Sequence, residues 1–179
     1  MMDLSGAAPV ADIHVLPGEI FFGSAPARLT TLLGSCVSAV LWHPARHLGG
    51  MCHYVLPTGR RATRGKPGMY ADAAIRSLLA DVLRAGTLPA DYRVSLLGGG
   101  RMFPDNRRAH VPEVGERNVT AGAALLHAHG FLIHAHHTGG EGHRHVSFDL
   151  STGVVDVRFE PRSTVAHCAA RRAPGGLQA

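Results

Sequence analysis

Residues 36–56 read CVSAVLWHPARHLGGMCHYVL. Side chains alternate between two faces over 37–42, and both faces are largely apolar, as in a strand that is covered on both sides. Residues 43–46 include a proline and are typical of a turn, and 50–56 predict the next strand. This stretch therefore predicts a buried antiparallel hairpin.

Two residues of this hairpin carry reactive side chains. Cys36 opens the first strand, and His53 lies midway along the return strand. A thiol is a useful nucleophile near neutral pH when a neighbour such as an imidazole favours its thiolate. A lone cysteine is more often a small buried hydrophobe, so spacing alone leaves the two interpretations evenly balanced. Cys52 adjoins His53 within one strand and should face the opposite way.

The remaining pattern predicts an α/β sandwich with a mixed sheet. Apolar residues at helical spacing predict helices over 70–85 and 115–129. Short apolar runs predict strands over 92–97 and 131–136, and a closing hairpin from 144–150 and 154–159. The apolar run over 12–22, broken by Pro17-Gly18, is interpreted as a first hairpin. A parallel doubly wound sheet is disfavoured because the first and last strand pairs both resemble hairpins.

Bulk composition predicts one cytoplasmic domain. The 179 residues are 45% hydrophobic and 17% charged, which suits a single domain over 10–160 with flexible termini at 1–9 and 161–179. Three cysteines give no disulfide framework and favour a reducing compartment. No run approaches the roughly 20 apolar residues that cross a bilayer, and the start lacks the features of a secretory signal.

Positive charge does not indicate a nucleic-acid site. The net charge is +5, and all but one of the 18 basic residues are arginine. Their densest group is Arg60, Arg61, Arg64 and Lys66, and aromatic residues do not interleave with it. Without stacking side chains we expect a solvated loop rather than a nucleic-acid patch. Attraction of an acidic protein partner stays open.

Histidines offer a second candidate site. Seven of the 13 lie between 127 and 145, and His134 and His136 would share one face of a strand, where paired imidazoles can bind zinc or copper. No His-Glu-x-x-His or paired Cys-x-x-Cys accompanies them. We therefore expect surface histidines without a metal, although metal binding by this stretch stays open. For Gly98-Gly99-Gly100, a tight backbone approach or a plain turn is favoured over a phosphate loop.

Ordered blocks of residues resemble one known family across nearly the whole chain. They are PGE (17–19), TTLLGSCV (30–37), GGMCHYVLP (49–57), YAD (70–72), GGGRMF (98–103), GERN (115–118) and GGEGHRHVSFDLSTG (139–153). Together they resemble the chemoreceptor glutamine deamidases of bacterial chemotaxis, the CheD family. The resemblance implies a three-layer α/β/α sandwich with a mixed, largely antiparallel sheet, similar to the deamidase domains of certain bacterial toxins.

The resemblance also implies a reaction and its residues. Glutamine side chains of methyl-accepting chemotaxis receptors would be hydrolysed to glutamate, with release of ammonia, through a thioester. The implied catalytic residues are Cys36, His53 and Thr30. Backbone N–H groups around Ser35 and Cys36, with Gly34 beside them, are expected to stabilise the oxyanion. No metal, organic cofactor, nucleic acid or membrane insertion is expected. A chemotaxis phosphatase of the CheC type is a possible partner, and a non-catalytic regulator of that phosphatase is the alternative function.

Overall fold

The computed structural model describes residues 10–59, 66–102 and 113–162. The termini that we expect to be flexible lie outside the described residues, except for 161–162. Most of the Arg60–Lys66 segment lies outside them as well. The strands are β1 (Ala11–His14), β2 (Ile20–Ser24), β3 (Ala27–Leu33), β4 (Val37–His43), β5 (Leu48–Cys52), β6 (Arg93–Gly98), β7 (Ile133–Thr138), β8 (Gly142–Asp149) and β9 (Val155–Pro161). The α-helices are α1 (Ala71–Arg84) and α2 (Val114–Ala128).

These strands form two sheets. A five-stranded sheet has the order β2-β5-β4-β6-β7, and a four-stranded sheet has the order β1-β3-β8-β9. The β6–β7 and β1–β3 pairs are parallel, and the other pairs are antiparallel. The prediction of an α/β fold with mixed, largely antiparallel pairing is therefore confirmed. The two predicted helices and the closing hairpin β8–β9 are also present within a few residues of their expected bounds.

The hairpin predicted from 36–56 is confirmed as β4–β5. Val40 pairs with Met51 and Leu41 with Gly50, and the same register continues to a bridge between Val37 and Tyr54. Because β4 lies between β5 and β6, neither of its edges is open. Its residues 37–41 are all buried, which explains why both faces of this strand are apolar in sequence.

Both helices pack on one face of the five-stranded sheet. The buried residues of α1 recur at helical spacing and join residues of β4 and β6 in one apolar core; they are Ala71, Ala74, Ile75, Leu78 and Val82. The buried positions of α2 include Gly115 and Gly122. A Cβ on Gly122 would lie 2.0 Å from the Tyr54 hydroxyl oxygen. The small residues of α2 therefore let this helix approach the sheet closely.

The four-stranded sheet covers the other face. Leu29 of β3 and Phe148 of β8 are buried against Val40 and Met51 in a second apolar core between the sheets. Along β8, buried and half-buried residues alternate, which is the pattern of a sheet with one face toward solvent. The described layers are thus helices, sheet and sheet. The expected α/β/α order is not confirmed, because among the described residues the third layer is a sheet and contains no helix.

The apolar run over 12–22 also differs from its prediction as a hairpin. β1 pairs in parallel with β3, whereas β2 pairs with β5 in the other sheet. The connecting segment crosses between the sheets: Val15 N–H donates to the Thr30 carbonyl, and Gly18 N–H donates to the His53 carbonyl. The crossing brings residues 15–19 beside His53, which neither local periodicity nor the Pro17-Gly18 signal indicates.

Candidate active site

Cys36 lies in the turn that joins β3 to β4. Its partly buried side chain packs against the core between the sheets. Every carbonyl of the turn is hydrogen-bonded: Gly34 O accepts from Gly100 N at 2.7 Å, Cys36 O from Gly99 N at 2.8 Å, and Ser35 O from the side-chain amide of Asn118 at 3.0 Å. No described backbone acceptor takes the N–H of Ser35 or Cys36. The turn is therefore fixed through its carbonyls.

Glycines make this arrangement possible on the β6 side of the turn. Gly98 has φ +115°, and a Cβ there would lie 2.2 Å from the Cys36 carbonyl oxygen. A Cβ on Gly100 would lie 2.3 Å from the Gly142 carbonyl oxygen. These contacts are far inside van der Waals distance, so only glycine fits without displacement. The glycine run is a tight backbone approach at the Cys36 turn, one of the two interpretations that its sequence favoured.

His53 lies on the same face of the hairpin as Cys36. Because Val37 bridges Tyr54, the register sets Cys36 diagonally across from His53. Diagonal neighbours on one face of an antiparallel pair have Cβ atoms within about 7 Å, which is within reach of long side chains. His53 is 2% exposed. The fold thus places the two predicted residues on one side of the sheet, facing the second sheet.

Hydrogen bonds define the tautomer of His53. Thr31 Oγ1 donates its single proton to the Val15 carbonyl at 2.7 Å, so at 2.9 Å from His53 Nδ1 it accepts. Nδ1 also lies 3.4 Å from that carbonyl oxygen, which can only accept. The proton of the neutral ring is therefore on Nδ1, and Nε2 holds the lone pair. Nε2 is buried with no hydrogen-bond partner among the described residues.

Thr31, and not Thr30, contacts His53. Thr30 Oγ1 lies 3.0 Å from His14 Nδ1, on the opposite face of β3. Adjacent residues of a strand point in opposite directions, so the two threonines cannot share a partner. The threonine that contacts His53 is therefore one position further along the chain than Thr30, the threonine that the family resemblance implies. The alternation of β3 carries the signal, because Thr31 shares the buried face of Leu29 and Leu33.

Burial leaves both reactive groups in their neutral forms at rest. Burial lowers the pKa of His53, and its contact with the Val15 carbonyl partly opposes that shift. Burial raises the pKa of Cys36, and its own backbone N–H opposes the rise. Both shifts disfavour charge. Both shifts favour a neutral thiol and a neutral imidazole over a thiolate–imidazolium pair.

Cys52 occupies the opposite face, as the alternation of β5 predicted. It is fully buried in the core beneath the helices. Burial raises its pKa to about 12, ahead of the opposing contact with the Ala39 backbone. A thiol in such surroundings stays protonated and inert. Cys52 is therefore a core residue despite its position beside His53 in sequence.

Asn118 was not singled out as a site residue from sequence. It is fully buried on α2, and its Nδ2 group donates to the carbonyls of Ser35 at 3.0 Å and Val55 at 2.8 Å. Tyr54 donates its hydroxyl proton to the main-chain carbonyl of Asn118. One amide thus joins the Cys36 turn to the chain beyond His53. The available signal was an asparagine at helical spacing between Gly115 and Gly122, on the face that approaches the sheet.

Comparison with known proteins identifies the family of this chain. The family described as CheD chemotactic sensory transduction matches residues 55–159. A probable chemoreceptor glutamine deamidase of Pseudomonas savastanoi pv. phaseolicola is 45% identical over 157 residues, covering 87% of this chain and 89% of the relative. The chain belongs to the CheD family. Because the alignment covers 87% of this chain, it includes the segment from Thr30 to His53.

Two further CheD relatives come from a second Pseudomonas species and from a Methanococcus. A protein of the same name from Pseudomonas syringae pv. syringae is 46% identical, covering 85% of this chain and 86% of its own length. One from Methanococcus vannielii is 34% identical, covering 82% of this chain and 94% of its own length. Neither α-helix of the described residues is long and apolar enough to cross a membrane.

Proposed function

We propose that this CheD family member hydrolyses glutamine side-chain amides of chemoreceptors, with Cys36 as nucleophile and His53 as general base. The names of its relatives support the substrate and the reaction. The observation that supports the mechanism is the His53 ring. Its Nδ1 contacts Thr31, while Nε2, on the face of Cys36, has a lone pair with no hydrogen-bond partner in the described part of the chain. That is the arrangement a thiol hydrolase needs.

The reaction proceeds in two halves. His53 Nε2 takes the thiol proton as Cys36 Sγ attacks the carboxamide carbon, and the oxyanion forms near the N–H groups of Ser35 and Cys36. Collapse breaks the carbon–nitrogen bond, and His53 returns the proton to the departing ammonia. Water then attacks the thioester with His53 again as base, releasing glutamate and the thiol. The balance is one amide and one water converted to one carboxyl group and one ammonia, with no cofactor.

Two residues position this pair without contacting substrate. Thr31 holds the imidazole in the tautomer that leaves Nε2 basic. Asn118 fixes the Ser35 carbonyl and so orients the N–H groups of the turn. We assign the third role of the implied triad to Thr31 because it is the threonine that contacts His53. Thr30 faces His14 instead.

The test is conversion of a receptor. A cytoplasmic receptor fragment incubated with the purified protein should gain about 1 Da per converted glutamine and release ammonia in equal amount. Cys36→Ala should abolish both signals, and Cys52→Ala is the matched control that should keep them. Full activity of Cys36→Ala overturns the assignment. A wild-type protein that binds a chemotaxis phosphatase but converts no glutamine supports the non-catalytic alternative instead. The cytoplasmic location and the phosphatase partner stay predictions.

A further inference from the structure

We propose that His143, His145 and Glu160 form a binding site for a divalent transition-metal ion of the zinc and copper class. The three residues lie on the outer face of the four-stranded sheet. One ligand atom from each lies within 4.8 Å of the others. No other group of three His, Cys, Asp or Glu side chains converges in this way among the residues that the structure describes.

The β8–β9 ladder fixes the positions of the three ligands. His143 is the direct cross-strand partner of Glu160, and His145 follows two residues later on the same face of β8. The ladder pairs residues continuously from Gly142–Pro161 to Phe148–Val155. The backbone of the site is therefore set by sheet hydrogen bonds before any metal enters, unlike a site on a loop.

Two imidazoles already converge on one carboxylate. His143 Nε2 lies 2.9 Å from Glu160 Oε2, and His145 Nε2 lies 3.5 Å from Oε1. In tetrahedral zinc sites with bonds of about 2.1 Å, neighbouring ligand atoms are about 3.4 Å apart. The two separations lie on either side of that value. A metal ion could therefore replace the Nε2 protons with only small movements of the side chains.

The donor set and its exposure define the class of ion. Two imidazole nitrogens with one carboxylate oxygen suit zinc or copper, whereas magnesium and calcium prefer oxygen ligands alone. Side-chain exposure is 36% for His143, 44% for His145 and 43% for Glu160. The ligands are reachable from solvent, which leaves a fourth coordination position for water.

The positive charge of Arg158 opposes metal binding, so replacing this residue should raise the affinity for the metal. Its guanidinium lies 3.0 Å from Glu160 Oε1, and its side chain is 72% exposed. Arg158 is the cross-strand partner of His145, so its positive charge is close to the site. A bound cation would displace this side chain into solvent. Removing the charge should therefore strengthen metal binding.

His134 and His136, the histidine pair considered in the sequence, are a matched control. His134 and His136 lie on β7 and are exposed. His134 Nδ1 accepts a hydrogen bond from Val94 N at 3.3 Å. Neither histidine belongs to the described three-ligand cluster. These two histidines therefore match the proposed ligands in residue type and spacing but lack the converging carboxylate.

The experiment is calorimetric titration of the full chain, freed of any tag, with zinc chloride. We expect one zinc per chain for wild type, with magnesium chloride giving no signal. The double variant His143→Gln/His145→Gln should bind zinc at least roughly tenfold more weakly, and Arg158→Gln should bind it more tightly. His134→Gln/His136→Gln should match wild type. Ring-nitrogen NMR should show zinc shifting Nε2 of His143 and His145.

Three outcomes overturn the site. They are zinc binding no tighter than magnesium, unchanged zinc affinity in His143→Gln/His145→Gln, or loss of binding in His134→Gln/His136→Gln alone. Arg158→Gln keeps the test decisive if the double variant misfolds, because it retains all three ligands. None of these readouts uses deamidase activity, so the metal site and the proposed function fail separately.

Discussion

The two faces of the β4–β5 hairpin differ in chemistry although one short stretch of sequence supplies both. The face toward the helices carries Val37, Ala39 and Leu41 with the inert thiol of Cys52. The face toward the second sheet carries Cys36 and His53. Cys52 and His53 are adjacent in sequence, but their side chains lie on opposite faces of the sheet because side chains alternate along a strand.

What covers each face explains the difference. Cys52 is fully buried in the core beneath the helices, and this burial raises the pKa of its thiol to about 12. On the opposite face, the crossing segment and β3 bring Val15 and Thr31 to one edge of the His53 ring. Reactivity in this fold thus depends on which layer a residue faces, and sequence proximity to a histidine is a poor guide to it.

The largest contrast is between the two thiols. Cys36→Ala should reduce ammonia release from a receptor fragment to background, because the nucleophile is lost. Cys52→Ala should keep kcat and lose about 1 kcal/mol of unfolding free energy, the usual effect of trimming a buried side chain. Denaturant unfolding and the ammonia assay measure the two quantities. Equal loss of activity in both variants would erase the distinction between the faces.

The next effect belongs to His53. His53→Gln removes the base, and kcat should fall by about 10²- to 10⁴-fold, the usual contribution of a positioned general base. The variant should remain folded, as near-ultraviolet circular dichroism can check. A fall of less than about tenfold would move the base elsewhere.

Substitution of Asn118 tests whether its hydrogen bond from α2 to the Cys36 turn is needed for activity. Asn118→Ala leaves the carbonyls of Ser35 and Val55 without their partner, so we expect a loss of about 2–5 kcal/mol of stability and a lower kcat with unchanged KM. Leu126→Ala is the matched control, because Leu126 is fully buried on the same helix and its truncation costs about as much stability.

The two Asn118 readouts separate positioning from stability. Leu126→Ala should keep the wild-type kcat at a temperature where both variants are folded. If the two variants lose kcat equally, Asn118 only stabilises the fold and does not orient the Cys36 turn.

The threonine pair gives a smaller effect. Thr31→Val removes one hydrogen bond to His53 and should reduce kcat by roughly five- to tenfold, as expected for a bond worth about 1 kcal/mol. Thr30→Val should leave kcat close to wild type because Thr30 contacts His14. The reverse ranking would restore Thr30 as the third residue of the site.

The smallest expected effect is in the pH profile. An imidazole acts as a base only above its pKa, and burial lowers the pKa of His53 from its usual 6.5. The acid limb of kcat should therefore lie below about pH 6.5, and activity should persist where an ordinary histidine is already protonated. The measurement is kcat against pH at saturating receptor fragment. An acid limb above pH 6.5 would contradict a lowered pKa of His53 as the general base.

Short-range sequence patterns correctly predicted the elements that depend on neighbouring residues. Alternation over 37–42 and the proline turn suffice for β4–β5, and with it for the shared face of Cys36 and His53. The spacing from Ala71 to Val82 suffices for α1. By contrast, the partner of β1 and the sheet in the third layer depend on contacts between distant segments, which periodicity does not encode. The contact of Thr31 with His53 could have been predicted, because the alternation of β3 places Thr31 on the buried face and Thr30 on the other.

The glycine contacts at the Cys36 turn have a consequence for mutational tolerance. Any side chain at Gly98 would force its Cβ onto the Cys36 carbonyl, and any at Gly100 onto that of Gly142. In a library of random substitutions, both positions should therefore tolerate almost no replacement, although neither touches substrate in the proposed reaction. Positions of this kind are indistinguishable from catalytic residues in a survival screen, and only the structure shows that their constraint is space.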